Sequence, residues 1–296
     1  MGTRTGNKPV LAVFGVGLIG GSLAIDLKAA EMVNHVIGVG RSLENLEKAQ
    51  ARGVIDEICD DPGVAVGKAD VVVLATPVNT INDLLKKISP YLSPDKVVTD
   101  VGSVKSGILE SAREHLGDHF RRFVPGHPVA GKEKSGIDAA AVGLYENHKV
   151  ILTPTGDTDA DAVELVHELW ASTGAQLSYM DPVDHDRILS ITSHLPHMLA
   201  YVMMDFLATS SDPDRCFEMA AGGFYDFTRT ASSDPEMWRD IALMNRREIL
   251  DSITAYQGKL SSLAEMINSG DGQGIEQLFA GSREARARVK EKRRQS

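Results

Sequence analysis

Two local patterns in this 296-residue sequence carry the residue types that chemistry needs. In VLAVFGVGLIGGSLA, Gly15, Gly17 and Gly20 form G-x-G-x-x-G between an apolar strand pattern and the start of a helical one. Gly15 allows a tight turn, Gly17 lets the backbone approach a pyrophosphate, and Gly20 lets helix and strand pack closely. The backbone at Leu18 and Ile19 then stands at a helix N-terminus, where free N–H groups and the dipole favour a phosphate. In PGHPVAGKEKSG, residues 125–136, a histidine lies between Gly126 and Pro128 in a segment poor in core-forming types. That composition predicts a surface loop in which His127 does chemistry. A neutral imidazole can take a proton that a carboxylate would hold too weakly.

The cofactor implied by the first pattern is a nicotinamide dinucleotide. The second strand would ordinarily end in an acid that binds the adenosine ribose, but here it ends HVIGVGRS, with Gly40, Arg41 and Ser42. Glycine leaves room for a 2′-phosphate and Arg41 could pair with it, so NAD or NADP is expected, with some tolerance of NADP. Arg41 could equally be a surface charge against the adenine. Ala75, Thr76 and Pro77 follow the third strand at the sheet edge where dinucleotides bind.

These residues need a frame. Short β-branched runs at Val10–Phe14, His35–Val39, 70–74, 96–100, 148–153 and 175–180 alternate with helical patterns at 19–30, 43–52, 80–88 and 160–172. Such alternation predicts an α/β fold of βαβ units around a parallel sheet, a Rossmann-type dinucleotide-binding domain spanning 1–181. Ser42 can cap the second helix, and Thr158 with Asp161 resembles a capping box. After Asp181-Pro182 the alternation stops, and residues 182–296 read as an all-helical domain. Ile188, Ile191, Leu195, Met198 and Val202 recur at helical spacing and predict one buried stripe. A long helix is expected over 233–267, capped by Ser233.

Composition bounds the rest. At 43% hydrophobic and 24% charged, the chain is that of an ordinary globular protein. No apolar run reaches the length of a membrane span, and the first residues lack the regions of a signal peptide, so a cytoplasmic location is expected. Cys59 and Cys216 are the only cysteines, too few and too far apart for a disulfide framework or thiolate site. The formal net charge is -10, yet residues 282–296 carry seven Lys or Arg against two Glu, which leaves about -15 on the rest. Such a body would repel nucleic acid.

Five ordered motifs, GVGLIGGS, TDVGSVK, GHPVAGKEKSG, SHLPH and GGFYDFTRTASSDPEMW, together resemble the prephenate dehydrogenases of the TyrA family, over nearly the whole chain. The resemblance implies NAD(P)-dependent oxidative decarboxylation of prephenate to 4-hydroxyphenylpyruvate in tyrosine biosynthesis, or of arogenate to tyrosine by an arogenate or dual-specificity cyclohexadienyl dehydrogenase. It makes His127 the acceptor of the ring-hydroxyl proton and Ser103 its neighbour beside hydroxyl and nicotinamide, although Ser103 could also cap the following helix. It makes Arg229 the clamp on the ring carboxylate, for which a planar guanidinium suits, and places His197 near the substrate side chain. Glu133 and Trp238 match positions at the pocket mouth, with a loop ion pair and a core aromatic as plainer roles. Lys132 departs from the threonine of many relatives. The family also implies a homodimer formed through the helical domain, and the absence of mutase or regulatory segments suggests a monofunctional enzyme.

Three rivals remain at this level. Metal binding by His194 and His197 lacks a third ligand and is not needed by the chemistry. A β-hydroxyacid dehydrogenase would need a lysine in the helical region, where residues 182–267 offer only Lys259. A non-catalytic dinucleotide sensor would keep the phosphate loop without using His127, Ser103 and Arg229 together.

Overall fold

The computed structural model describes residues 8–131 and 136–295. Its first strand, β1 (Val10–Phe14), sends Leu11 and Val13 into one core and Ala12 and Phe14 into another. A strand buried on both faces needs helices on both sides of its sheet. The elements that follow supply them: α1 (Leu18–Ala29), β2 (His35–Val39), α2 (Leu43–Ala51), β3 (Glu57–Ile58), α3 (Pro62–Lys68), β4 (Val71–Leu74) and α4 (Ile81–Ile88). They continue as β5 (Val97–Asp100), α5 (Ser106–Leu116), β6 (Phe123–Val129), β7 (Lys149–Leu152), α6 (Ala160–Ala171) and β8 (Gln176–Tyr179). From there the chain is helical: α7 (Pro182–Leu189), a π turn at Ser190–His194, α8 (Leu195–Ala208), α9 (Pro213–Met219), α10 (Gly222–Thr228), α11 (Pro235–Met244), α12 (Arg246–Ser269) and α13 (Gly272–Gln295).

The eight strands lie in the order β3-β2-β1-β4-β5-β6-β7-β8. The order reverses between β1 and β4, which creates the crevice at their carboxyl ends where open α/β sheets bind ligands. All neighbours are parallel except β6 and β7. This departs from a purely parallel sheet, and the described part of the link explains it. Between Gly136 and β7 there is one 3-10 turn, Ile137–Ala139, and no crossover helix of the kind a parallel return requires.

The strand β6 overturns the expected surface loop. Residues 125–129 lie inside the sheet, and His127 is paired with Ile151 and buried. Proline and glycine are poor strand formers, yet here their weaknesses are harmless. The ladder to β5 ends at Pro125 and the ladder to β7 begins at Gly126, so Pro128 stands beyond the last bond to β5. A side chain at position 126 would crowd the Asp100 carbonyl, at 3.0 Å from a built Cβ.

Other expectations need smaller corrections. Ser42 caps α2 as expected, its hydroxyl accepting from Asn45 N–H at 3.2 Å. Thr158 does not cap α6; Asp159 occupies the cap position, while the Thr158 hydroxyl accepts from Thr155 N–H. The helix over 233–267 is broken at Asn245, and its cap is Asp234, which accepts from the N–H groups of Glu236 and Met237 ahead of Pro235 at the first position. Of the stripe from Ile188 to Val202 only Leu195 is buried and Met198 partly so, while Ile188, Ile191 and Val202 are exposed. The π turn between α7 and α8 shifts the register, so that Leu189, His194 and Ala200 face inward with Leu195.

The chain divides into two compact units, one ending at Arg246 and the other running from Arg247 onward. No helix among the described residues is long and apolar enough to cross a membrane.

Within the first unit, Lys105 and Asp100 form an ion pair with no solvent exposure. Lys105 Nζ also donates to the Gly126 carbonyl at 2.7 Å, and Asp100 accepts from Gly102 N–H at 2.7 Å. Burial pushes the Asp100 carboxyl up and the Lys105 amine down, and each charge opposes the other's shift. Removing one partner strands the other. Lys105→Met should therefore destabilise the protein by about 3–5 kcal/mol in urea unfolding, and adding Asp100→Asn should recover part of the loss. Equal stability of Lys105→Met and wild type would contradict this account.

Candidate active site

The phosphate loop is built as its glycines require. Gly15 has φ +97°, and a Cβ there would lie 2.5 Å from the Ala75 carbonyl oxygen, so β1 and β4 can meet only without a side chain. At Gly20 a Cβ would collide with the Gly15 carbonyl and with Val13. Gly17 differs: a Cβ there would meet nothing within 4 Å. Nothing in the protein's own packing explains that glycine, whereas a dinucleotide backbone lying on the loop would. Gly17 also stands at the N-cap of α1 with no side chain capping it, which leaves the backbone at Leu18 and Ile19 available to an anion. Ala75, Thr76 and Pro77 lie beside this loop as expected, Ala75 against Gly15 and Thr76 accepting from the Thr80 hydroxyl at 2.9 Å. Gly40 and Arg41 are exposed beyond β2. These residues fit a nicotinamide dinucleotide.

The His127 ring is held on its far side. Its Nδ1 lies 2.8 Å from His185 Nε2, and His185 Nδ1 lies 2.8 Å from Asp186 Oδ1. Asp186 accepts in addition from Lys105 N–H and Ser106 N–H, both at 2.8 Å. These two amides open α5, so it is Asp186 and not Ser103 that satisfies the start of that helix. Burial would raise the Asp186 carboxyl, but the hydrogen bonds from His185, Lys105 and Ser106 prevail and hold it below the usual carboxylate range. Burial, reinforced by the nearby His185, Lys105 and His194, holds His127 well below an ordinary imidazole. His127 is consequently neutral at pH 7.

A second cluster is built from the helices. His197, on α8, stacks on Trp238 of α11, with ring centroids 3.7 Å apart. Trp238 is buried in the core, and its edge also meets His194. Arg229, which follows α10, is exposed and near enough for its charge to lower the His197 pKa, although burial is the larger cause. His194 Nδ1 accepts from Asn245 Nδ2 at 3.0 Å, and the same amide donates to the Asp186 carbonyl. Burial brings His194 down to about 4, against the pull of Asp186 and the main chain of Ser103.

The structure thus gathers His197, Trp238 and Arg229 into one group and ties it to His127 through His194, Asn245 and Asp186. Ser103 is half-buried on the loop between β5 and α5. Glu133 and Lys132 lie outside the described residues. Sequence reasoning missed His185, Asp186, Lys105 and Asn245. The only local signal was the His-Asp pair in PVDHDR; the Asn245 break carried none.

A phosphate loop at a sheet switch point, beside a buried neutral histidine, defines a dinucleotide-dependent oxidoreductase. Comparison with known proteins agrees. Residues 23–179 match the family model described as prephenate dehydrogenase, nucleotide-binding domain, and residues 181–281 match prephenate dehydrogenase, dimerization domain. The chain belongs to the prephenate dehydrogenase family. It is 34% identical to a cyclohexadienyl dehydrogenase of Zymomonas mobilis over 95% of this chain and 96% of that one, and 35% identical to a prephenate dehydrogenase of Bacillus subtilis over 94% and 76%. Its fold matches the crystal structure of prephenate dehydrogenase from Aquifex aeolicus, in complex with hydroxyphenyl propionate and NAD+, with a TM-score of 0.91 at 36% identity, covering 97% of this chain and all of that one. Synechocystis arogenate dehydrogenase matches with a TM-score of 0.82 at 32% identity, over 95% and 99%.

Two outcomes follow from this geometry. Gly17→Val should leave thermal stability within about 1 kcal/mol, because its side chain meets only open space, yet weaken NAD⁺ binding at least about tenfold in a fluorescence titration; unchanged affinity would mean that the loop does not carry the phosphates. The second concerns acid. His127, His194 and His197 all have folded-state pKa values below their unfolded value of 6.5, so the unfolded chain binds more protons as pH falls. Stability should be full above about pH 6.5 and decline steadily towards pH 4, where His194 titrates, and urea midpoints that stay flat between about pH 7 and pH 5 would refute the buried neutral histidines.

Proposed function

We propose that the protein catalyses the NAD(P)-dependent oxidative decarboxylation of prephenate to 4-hydroxyphenylpyruvate, a step of tyrosine biosynthesis. The observation that carries this reading is His127, a neutral base fixed on a strand of the dinucleotide-binding sheet and linked through His185, Asp186, Asn245 and His194 to the cluster of His197, Trp238 and Arg229. The substrate has a ring hydroxyl and, opposite it, a carboxylate. A bound nicotinamide would supply the acceptor for the hydride of the hydroxyl-bearing carbon. His127 takes the hydroxyl proton, and loss of carbon dioxide is then driven by formation of the aromatic ring. Ser103, half-buried on the loop after β5, is assigned the role of bridging the reacting hydroxyl and the cofactor side. Arg229 orients the ring carboxylate; positioning describes its role better than acceleration, since a tighter grip on the ground state would oppose decarboxylation. His197 and Trp238 are assigned to the substrate side chain, stacked as they are on one another, and Glu133 is assigned to substrate binding by its match to the family position alone.

Arogenate is the second reading, favoured by the likeness to the Synechocystis arogenate dehydrogenase and the Zymomonas cyclohexadienyl dehydrogenase. Arogenate carries an ammonium where prephenate has a keto group, and an ammonium calls for an acidic neighbour. The described side chains around His197 are instead an indole and a guanidinium, which supports prephenate. Gly40, exposed Arg41 and the Ser42 turn leave room for a 2′-phosphate, so both NAD and NADP are proposed as cofactors. The working division is a dinucleotide domain over 1–181 and a helical substrate and dimerisation domain over 182–296. Exposed Val202 and Phe206 on α8, and Leu250, Leu260 and Ile267 on α12, are surfaces that a second copy would cover in a homodimer. A cytoplasmic location fits this role.

The decisive assay follows the near-ultraviolet absorbance of reduced nicotinamide with prephenate or arogenate, each with NAD⁺ or NADP⁺. Prephenate with NAD⁺ should give the strongest rise, and His127→Asn should reduce kcat by about 10²–10⁴-fold while dinucleotide binding persists. No rise in any pairing, with NAD⁺ still bound, would replace the dehydrogenase reading with that of a sensor.

A further inference from the structure

The hydrogen bonds around His127 fix more than its position. Asp186 receives two backbone N–H donors, from Lys105 and Ser106, besides the contact from His185, a set that only an ionised carboxylate satisfies fully. An ionised carboxylate can only accept, so His185 must carry its proton on Nδ1. With that single ring proton on Nδ1, His185 presents a bare Nε2 to His127, 2.8 Å away, and a bare nitrogen can only accept. The donor in that bond is therefore His127 Nδ1–H. A neutral imidazole has one N–H, so its other nitrogen is unprotonated.

We infer that His185 is a positioning residue which, backed by Asp186, holds His127 in the tautomer with a proton on Nδ1 and makes Nε2 the basic atom. The inference rests on the dehydrogenase reading for its consequence. The substrate O–H bond breaks, an N–H bond forms at Nε2, and the ring becomes an imidazolium. Its Nδ1–H remains shared with His185, whose own Nδ1–H points to the Asp186 carboxylate, so the new positive charge faces an anion through one intervening ring. The other charges near it would not serve. Lys105 is cationic and already paired with Asp100, and His194 is neutral and held by Asn245. In the opposite tautomer Nε2 would already bear a hydrogen and could not accept the hydroxyl proton. A wrong tautomer of a catalytic histidine has large kinetic consequences even with the geometry intact.

The test uses the whole protein with ¹⁵N-labelled histidine and two variants, His185→Gln and His185→Phe. Glutamine can accept from His127 Nδ1 with its carbonyl and donate to Asp186 with its amide; phenylalanine can do neither. Ring ¹⁵N shifts of wild-type His127 should show a protonated Nδ1 and a bare Nε2. His185→Gln should keep that pattern and lose no more than about tenfold in kcat, whereas His185→Phe should lose the pattern and about 10²–10⁴-fold in kcat, with NAD⁺ affinity within about twofold. A protonated Nε2 in the wild-type spectrum overturns the inference. So does a glutamine variant as impaired as the phenylalanine one, or a phenylalanine variant with wild-type kcat. Should the phenylalanine variant not fold, the wild-type spectrum and the glutamine variant decide the matter. The spectrum needs no turnover, so an inactive wild type with the stated tautomer would defeat the proposed reaction and leave the tautomer assignment standing.

Discussion

One buried carboxylate holds the site together. Asp186 accepts the first two N–H groups of α5 through its side chain and the His185 ring beside them, and its own carbonyl accepts from Asn245. A carboxylate taken out of water is tolerated only when its lone pairs are filled, and here they are filled by groups from α5 and α7. The same bonds that keep Asp186 charged dock the first helix after the sheet, α7, onto the start of α5. Docking that helix and orienting the base are therefore one interaction.

Around this anchor the labour is divided by kind of element. His127 stands on a strand paired to β5 before it and β7 along it, with the Lys105 and Asp100 pair beneath. The groups proposed to meet the rest of a substrate, His197, Trp238 and Arg229, come from α8, the turn after α10 and α11. His197 and Trp238 stack, the Arg229 charge acts on His197, and the His194 to Asn245 bond ties the group to the anchor through the edge contact of His194 with Trp238. Rigid backbone positions the proposed proton acceptor, and side-chain packing shapes the second cluster.

What could be read from sequence was what is encoded locally. Glycine spacing in the phosphate loop, the apolar runs of β1, β2 and β4 and the Ser42 cap depend on neighbours within a few residues, and the structure has them in place. The β6 strand was hidden because its residues are those of a loop, and only pairing from two sides makes them a strand. The break at Asn245 was hidden because its cause is 59 residues away at Asp186. The π turn was hidden too, and with it which residues of α7 and α8 face inward. His185 carries no local signal beyond its acidic neighbour; its value lies in a partner 58 residues away. Long-range polar pairing leaves no periodicity for a single sequence to display.

The change of direction between β6 and β7 bears on how such an enzyme can diversify. Because His127 lies at the seam between a parallel and an antiparallel ladder, its backbone is bonded into the sheet and has little freedom to drift. The helices opposite carry no such constraint. Descendants of this chain can exchange one substrate side chain for another by altering residues on α8, α10 and α11, while the proton acceptor and the cofactor cradle stay untouched. Substrate preference is then the evolvable half of the molecule, and the reaction itself is the inherited half.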